Sequence, residues 1–266
     1  MPLHIYPVTI FSVDPPIHCL LSRPTAEARN APTVIYFHGL NGTRNQVFQD
    51  KYVEFAEAIQ EIGCNLLSVE LRAHGDRREK KELTAVDNLM KIISHKELNP
   101  FDGALEDIRR IIEFVIEKSI APPGDIAVAG LSWGAMHALF AIKQERRIRC
   151  GVALLPVCKI TSLVEFRRLS HQPVIQKFEP LSYVEKIAPT PLLILTAEQD
   201  HRSDPRYAGE LYEKLVPEYE AAGALDKLAY ALLLGVGHAY DSRMAQMAKT
   251  WFKAHLLTEV EEPKFD

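Results

Sequence analysis

Long apolar runs are missing from this chain. No stretch of about 18 apolar residues occurs, so neither a transmembrane helix nor membrane insertion is expected. An excess of basic residues is missing as well: 31 Lys and Arg stand against 35 Asp and Glu, a formal charge of −4. That balance does not favour a polyanion, and nucleic acid is not an expected partner. Cysteine is sparse. Cys19, Cys64, Cys150 and Cys158 lie far apart with no Cys-x-x-Cys pair, which excludes zinc-type spacing. Four reduced, mostly buried thiols are the expectation, and a cytoplasmic location follows from them. The segment Met1-Pro2-Leu3-His4-Ile5 lacks a basic and an apolar region, so no signal peptide is expected. Internal repeats, low-complexity tracts and Pro/Gly/Ser-rich linkers are absent, and residues 1–266 read as a single domain.

What is present is globular material. Hydrophobic residues make up 47% and charged residues 25%, which rules out disorder as the main state. Short β-rich runs alternate with helix-period segments. Val34–Phe37, Asn65–Leu71, Ile126–Ala129, Cys150–Leu155, Leu192–Thr196 and Leu228–Leu234 read as strands. Asp50–Ile62, Leu105–Ile116, Ala135–Lys143, Asp204–Leu215 and Ser242–Leu256 read as helices. Strands separated by helices of this length predict a mostly parallel sheet with helices on both faces. Alternation over Val8, Ile10 and Ser12, then Ile17 and Leu20, predicts an antiparallel hairpin at the sheet edge.

Two segments break the alternation. Arg77–Pro100 opens on Arg77-Arg78-Glu79-Lys80-Lys81-Glu82 and reads as a solvated excursion. Residues 157–188 form a short cap-like insert before the strand at Leu192. Both are candidate pocket walls at the C-terminal end of the sheet. Phe166, Arg167 and Arg168 in the insert could meet an acidic substrate or form a solvated helix face. The acidic tail from Glu259 is expected to fray.

The sharpest motif is Gly130-Leu131-Ser132-Trp133-Gly134, between a strand and a helix. There, Gly-x-Ser-x-Gly forms a nucleophile elbow: a tight turn strains the serine backbone, lifts its Oγ above the sheet, and leaves no room for side chains two positions either side. A serine hydroxyl needs a base. His238, in Leu234-Gly235-Val236-Gly237-His238 after the final strand, is the candidate, with His201 as rival; His137 and His255 sit on helices away from that role. A carboxylate must then fix the imidazole. Asp200, in the loop after Leu192–Ala197, gives the order Ser132, Asp200, His238. Asp204 suits a helix N-cap instead, before Pro205; Asp241 and Glu198 remain rivals. Backbone donors for an oxyanion are expected at Trp133 and at Leu40, in Phe37-His38-Gly39-Leu40-Asn41-Gly42, where Gly39 allows close approach. His38 is assigned to holding that loop. Gly39, Asn41 and Met136 are candidate substrate-binding neighbours, and Trp133 either lines the pocket or packs beneath it.

These residues resemble the α/β-hydrolase superfamily, and more narrowly bacterial esterases of its dienelactone-hydrolase and prolyl-oligopeptidase-like branch. The resemblance rests on Tyr36-Phe37-His38-Gly39, Glu70-Leu71-Arg72-Ala73-His74-Gly75-Asp76, the elbow, Leu195–Asp200 and Gly235–His238, and covers Ala31 to Leu257. Glu70 and Ala73 depart from the Asp-x-Arg-Gly-His-Gly usual there, which leaves that turn open. The resemblance implies an α/β-hydrolase fold and cleavage of small to medium acyl esters through an acyl-enzyme, with no cofactor and no metal. A small-molecule ester is then the expected partner. Thioesterase, amidase or peptidase action, and a non-catalytic binder on the same fold, remain as alternatives, and a homodimer is left open.

Overall fold

In the computed structural model, residues 3–26, 28–94, 100–169 and 172–257 are described. Eight strands build one sheet: β1 His4–Ile10, β2 Ile17–Arg23, β3 Thr33–Phe37, β4 Asn65–Val69, β5 Ile126–Leu131, β6 Ile148–Leu154, β7 Leu192–Ala197 and β8 Leu228–Leu233. Their spatial order is β1-β2-β4-β3-β5-β6-β7-β8. The first two strands form the edge hairpin, β2 runs antiparallel to β4, and the other neighbours are parallel. Parallel pairing from β4 and β3 through to β8 leaves the C-terminal ends of β3, β5, β7 and β8 at one rim.

Every residue of β3, β4, β5 and β7 is buried, as a sheet covered on both faces requires. Alternate side chains feed two cores. Ile35, Phe37, Leu67, Val69, Val128 and Ile194 pack on one face, with α3 (Pro100–Glu117), α4 (Trp133–Gln144) and α6 (Pro205–Ala221). Val34, Tyr36, Leu66, Ala129, Val152 and Leu195 pack on the other, with α1 (Val53–Glu61) and α7 (Ser242–His255). The period-two pattern therefore decides which helix each strand residue meets. Among the described residues no helix is long and apolar enough to cross a membrane. The four cysteines are buried and unpaired. Burial pushes the thiols of Cys19 and Cys64 up to about 12, which keeps them protonated.

The Arg77–Pro100 excursion is less solvated than its charge run suggests. Arg77 is buried, and its guanidinium grips Asp107 of α3 through Nη1 (2.6 Å) and Nη2 (3.0 Å). Arg72 takes the same carboxylate from the other side, through Nε at 3.1 Å and Nη2 at 2.9 Å. Two guanidiniums on one acid offset its desolvation, which is why a charged residue opens the segment and still goes inside. The segment then forms a helix, α2 (Ala85–Ser94), that the charge run concealed. Residues 95–99 and the tail from residue 258 lie outside the described residues.

The insert consists of 3₁₀ turns around one short helix, α5 (Pro173–Phe178). Its aromatic residues lie on α4: Phe166 stacks on Trp133 with ring centroids 5.3 Å apart, and Phe178 meets Phe140 at 4.0 Å. Phe166 is fully buried and so does not face substrate, whereas Arg167 and Arg168 are exposed.

Candidate functional site

The turn from β5 into α4 is sterically forced. Ser132 has φ 56° and ψ −111°, a conformation that side-chain-bearing residues rarely adopt. Its amide remains in the sheet, donating to Leu154 O at 2.8 Å. A Cβ on Gly130 would fall 2.2 Å from Gly134 O, and one on Gly134 would fall 2.0 Å from Phe37 O. Both glycines are therefore obligatory for space. Trp133 opens α4, so its N–H has no partner one turn back in the helix. Its side chain is 2% exposed and packs under the turn against Phe166, which resolves its role as packing.

Asp200 lies three residues beyond β7 and is 2% exposed. Its Oδ1 accepts the N–H groups of Arg202 and Ser203, both at 2.8 Å, which fixes the carboxylate. Its Oδ2 faces His238 Nδ1 at 2.8 Å. That contact assigns the hydrogen to Nδ1 and leaves Nε2 as the basic nitrogen. The β8 loop is tied to the β7 loop twice more: Gln199 N–H donates to Val236 O (2.8 Å), and Gly235 N–H donates to Glu198 Oε2 (3.0 Å). Glu198 thus supports the histidine loop instead of the imidazole.

Ser132 and His238 line one cleft. Leu40, Gly39 and Asn41 line it too. Met136 does not: it is fully buried on the opposite side of α4, because the turn of the helix carries that position into the core. The rivals fall elsewhere. His201 is exposed outside the cleft lining, and Asp204 and Asp241 each cap a helix by accepting the N–H two residues on, at 3.0 Å. His137 is buried, with Nδ1 3.0 Å from Trp133 O, and burial pushes it down to about 4. His255 packs on Trp251.

The cleft also holds residues that no motif marked: Gln46, Tyr52, Leu155, Arg202 and Tyr240. Arg202 comes with the acid loop and is held by Glu165 of the insert at 2.7 Å. That ion pair ties the insert to the cleft lining, although no described residue of 157–188 lines the cleft itself. Gln46 is a loop anchor, accepting Gly39 N–H at 3.0 Å. Only proximity in the fold identifies these residues.

The turn after β4 holds the departures noted above. Ala73 has φ 63°, the left-handed region that favours glycine, so the turn forms in spite of its alanine. Glu70 is buried, 2.9 Å from Arg44 Nη1 and 3.1 Å from His38 Nε2. Among the described residues no group of three His, Cys, Asp or Glu could hold a metal ion.

Comparison with known proteins bears on the fold. No curated protein sequence matches the chain. Among solved structures, TT1662 from Thermus thermophilus aligns with a TM-score of 0.74 at 21% identity, covering 97% of this chain and 100% of its own. A Pyrococcus furiosus esterase gives a TM-score of 0.67 at 17% identity over 96% of this chain and 94% of its own. The acylaminoacyl peptidase of Pyrococcus horikoshii gives 0.75 at 17% identity over all of this chain, which spans 44% of that larger one. The family described as alpha/beta hydrolase fold matches residues 32–178, more than half of the chain, from β3 through the elbow into the insert. The chain belongs to the α/β-hydrolase family.

Proposed function

We propose that the protein is a serine hydrolase that cleaves small to medium acyl esters through an acyl-enzyme. One observation carries the reading: an imidazole fixed by a buried carboxylate at 2.8 Å opens onto the same cleft as a serine on a strained turn. Ser132 Oγ attacks the ester carbonyl carbon and its proton passes to His238 Nε2. Asp200 holds the ring in that tautomer and stabilises the imidazolium. The carbonyl oxygen becomes an oxyanion and takes hydrogen bonds from Leu40 N–H and Trp133 N–H. Collapse breaks the bond to the alcohol, which leaves with the proton from His238. Water then attacks the acyl-enzyme, giving its proton to His238; the acyl–Oγ bond breaks, His238 returns the proton to Ser132 Oγ, and the carboxylic acid leaves.

Fluorophosphonate labelling followed by peptide mapping tests this. Label on Ser132, turnover of short p-nitrophenyl esters, and loss of both in Ser132→Ala are expected. Label on another serine, or no reaction with any activated ester, would overturn the reading. Peptide-amide turnover equal to ester turnover would move it to a peptidase. Buried, protonated thiols suit a reducing compartment such as the cytoplasm.

A further inference from the structure

The loop between β3 and α1 presents consecutive amides to the cleft; its backbone closes one turn, Gly42 N–H to Gly39 O at 2.9 Å, which leaves the central Leu40–Asn41 peptide able to flip. Glycine stands on both sides of Leu40-Asn41. A Cβ on Gly39 would meet nothing closer than 3.7 Å, whereas one on Gly42 would fall 2.8 Å from Gln46 Oε1, so sterics crowd the Gly42 end and leave room at the Gly39 end. Hydrogen bonds from below must hold it.

Two buried histidines supply them. His38 Nε2 accepts Leu71 N–H (3.2 Å), so the ring hydrogen sits on Nδ1 and is given to Gly39 O at 2.9 Å. His74 Nε2 lies 2.7 Å from Leu40 O and its Nδ1 lies 2.7 Å from Arg72 O; burial pushes the ring down to about 3, so it is neutral and gives its one hydrogen to one of these two carbonyls. Both rings are no more than 1% exposed, and they meet edge to face at 4.9 Å. In a trans peptide the C=O and the next N–H point in opposite directions. Drawing the Gly39 and Leu40 carbonyls down onto the histidines therefore turns the Leu40 and Asn41 N–H groups up, away from the interior. Among the described residues neither N–H donates to a protein acceptor.

We propose that His74, in the turn after β4 and outside the triad, is a positioning residue: a hydrogen on its Nε2 holds the peptide between Leu40 and Asn41 so that the Asn41 N–H, beside that of Leu40, faces the reacting carbonyl as a further donor. His74 touches no substrate. It acts through the Leu40 carbonyl, paired with the action of His38 one peptide earlier. The inference rests on the hydrolase reading for its catalytic consequence and on geometry alone for its structural one.

Side-chain amides separate the two ring nitrogens. Glutamine places an N–H₂ where Nε2 stands, and asparagine places one where Nδ1 stands. The experiment compares His74→Gln with His74→Asn in the full chain. His74→Asn should lower kcat about 10- to 100-fold with KM nearly unchanged, as expected for oxyanion donors that no longer converge. His74→Gln should keep kcat within a few-fold. Amide hydrogen exchange at Gly39 and Gly42, whose N–H groups are bonded within the loop, should quicken in His74→Asn and not in His74→Gln. Equal behaviour of the two variants in both readouts, or a loss carried by KM, would overturn the proposal. Absence of ester turnover in the unmodified protein would remove the hydrolase reading, and the exchange comparison alone would then decide whether His74 holds the loop.

Discussion

Two glycine-bearing turns face the cleft, and they are held by different forces. At the elbow, glycine is a matter of volume: an added Cβ would sit 2.0–2.2 Å from backbone atoms of neighbouring elements. In the loop at residues 39–42, Gly39 has ordinary space, and direction comes from the buried side chains of His38 and His74 and from half-buried Gln46. The difference teaches where each part can fail. A nucleophile on a sterically fixed turn cannot move unless the sheet moves. Amides on a hydrogen-bonded loop can turn while the sheet stays intact. The reacting serine is thus placed by packing, and the groups that stabilise developing charge are placed by polar contacts.

Substitutions at the two turns sharpen the contrast. The largest effect is expected from Gly134→Ala. Its methyl would meet backbone of β3, which cannot step aside as a flexible side chain could. Overpacking commonly costs about 1–3 kcal/mol, and a backbone clash should exceed that. Loss of soluble, cooperatively unfolding protein is the expected outcome, read by expression and thermal melting; a normal Tm would break the steric account.

Asp200→Asn comes next and should separate chemistry from folding. The side chain keeps its volume and can still accept from the Arg202 and Ser203 amides, but the imidazole loses its negative partner. A fall in kcat of about 10⁴ is expected with the melting curve little changed. Rate and stability falling together would show that the acid loop is structural.

Gly39→Ala is the counterpart of Gly134→Ala. With its nearest neighbour 3.7 Å from the new methyl, stability should change by about 0.5 kcal/mol or less and activity by less than 10-fold. A large destabilisation would erase the distinction between the two turns. The smallest effect belongs to Ala73→Gly. Relief of the left-handed alanine, about 1–2 kcal/mol, is partly offset by the greater freedom of glycine in the unfolded chain. A net gain near 0.5 kcal/mol is expected from denaturant unfolding, with activity unchanged.

Much of the fold was legible because burial leaves a periodic trace. The six strand readings from Val34 to Leu234 coincide with β3 to β8, and the edge hairpin follows from alternation between Val8 and Leu20. The helix at Ala85–Ser94 was hidden by the neighbouring charges. The burial of Arg77 is not legible in a charge run, which says nothing about a partner far along the chain, here Asp107. Met136 was drawn toward the cleft by its closeness to Ser132 in sequence. Helical rotation turns it into the core.

The sequence alone determined the elbow, since only glycine fits two positions either side of Ser132, and it determined which strand faces are apolar. Both are local consequences of steric limits and of side-chain period. Only the tertiary structure decided which carboxylate meets which imidazole, that Phe166 lies beneath the turn and not in the cleft, and that His74 reaches Leu40 across 34 residues of chain. Those contacts depend on directions and distances fixed when the sheet brings separate loops to one rim, and the order of residues does not encode them one by one.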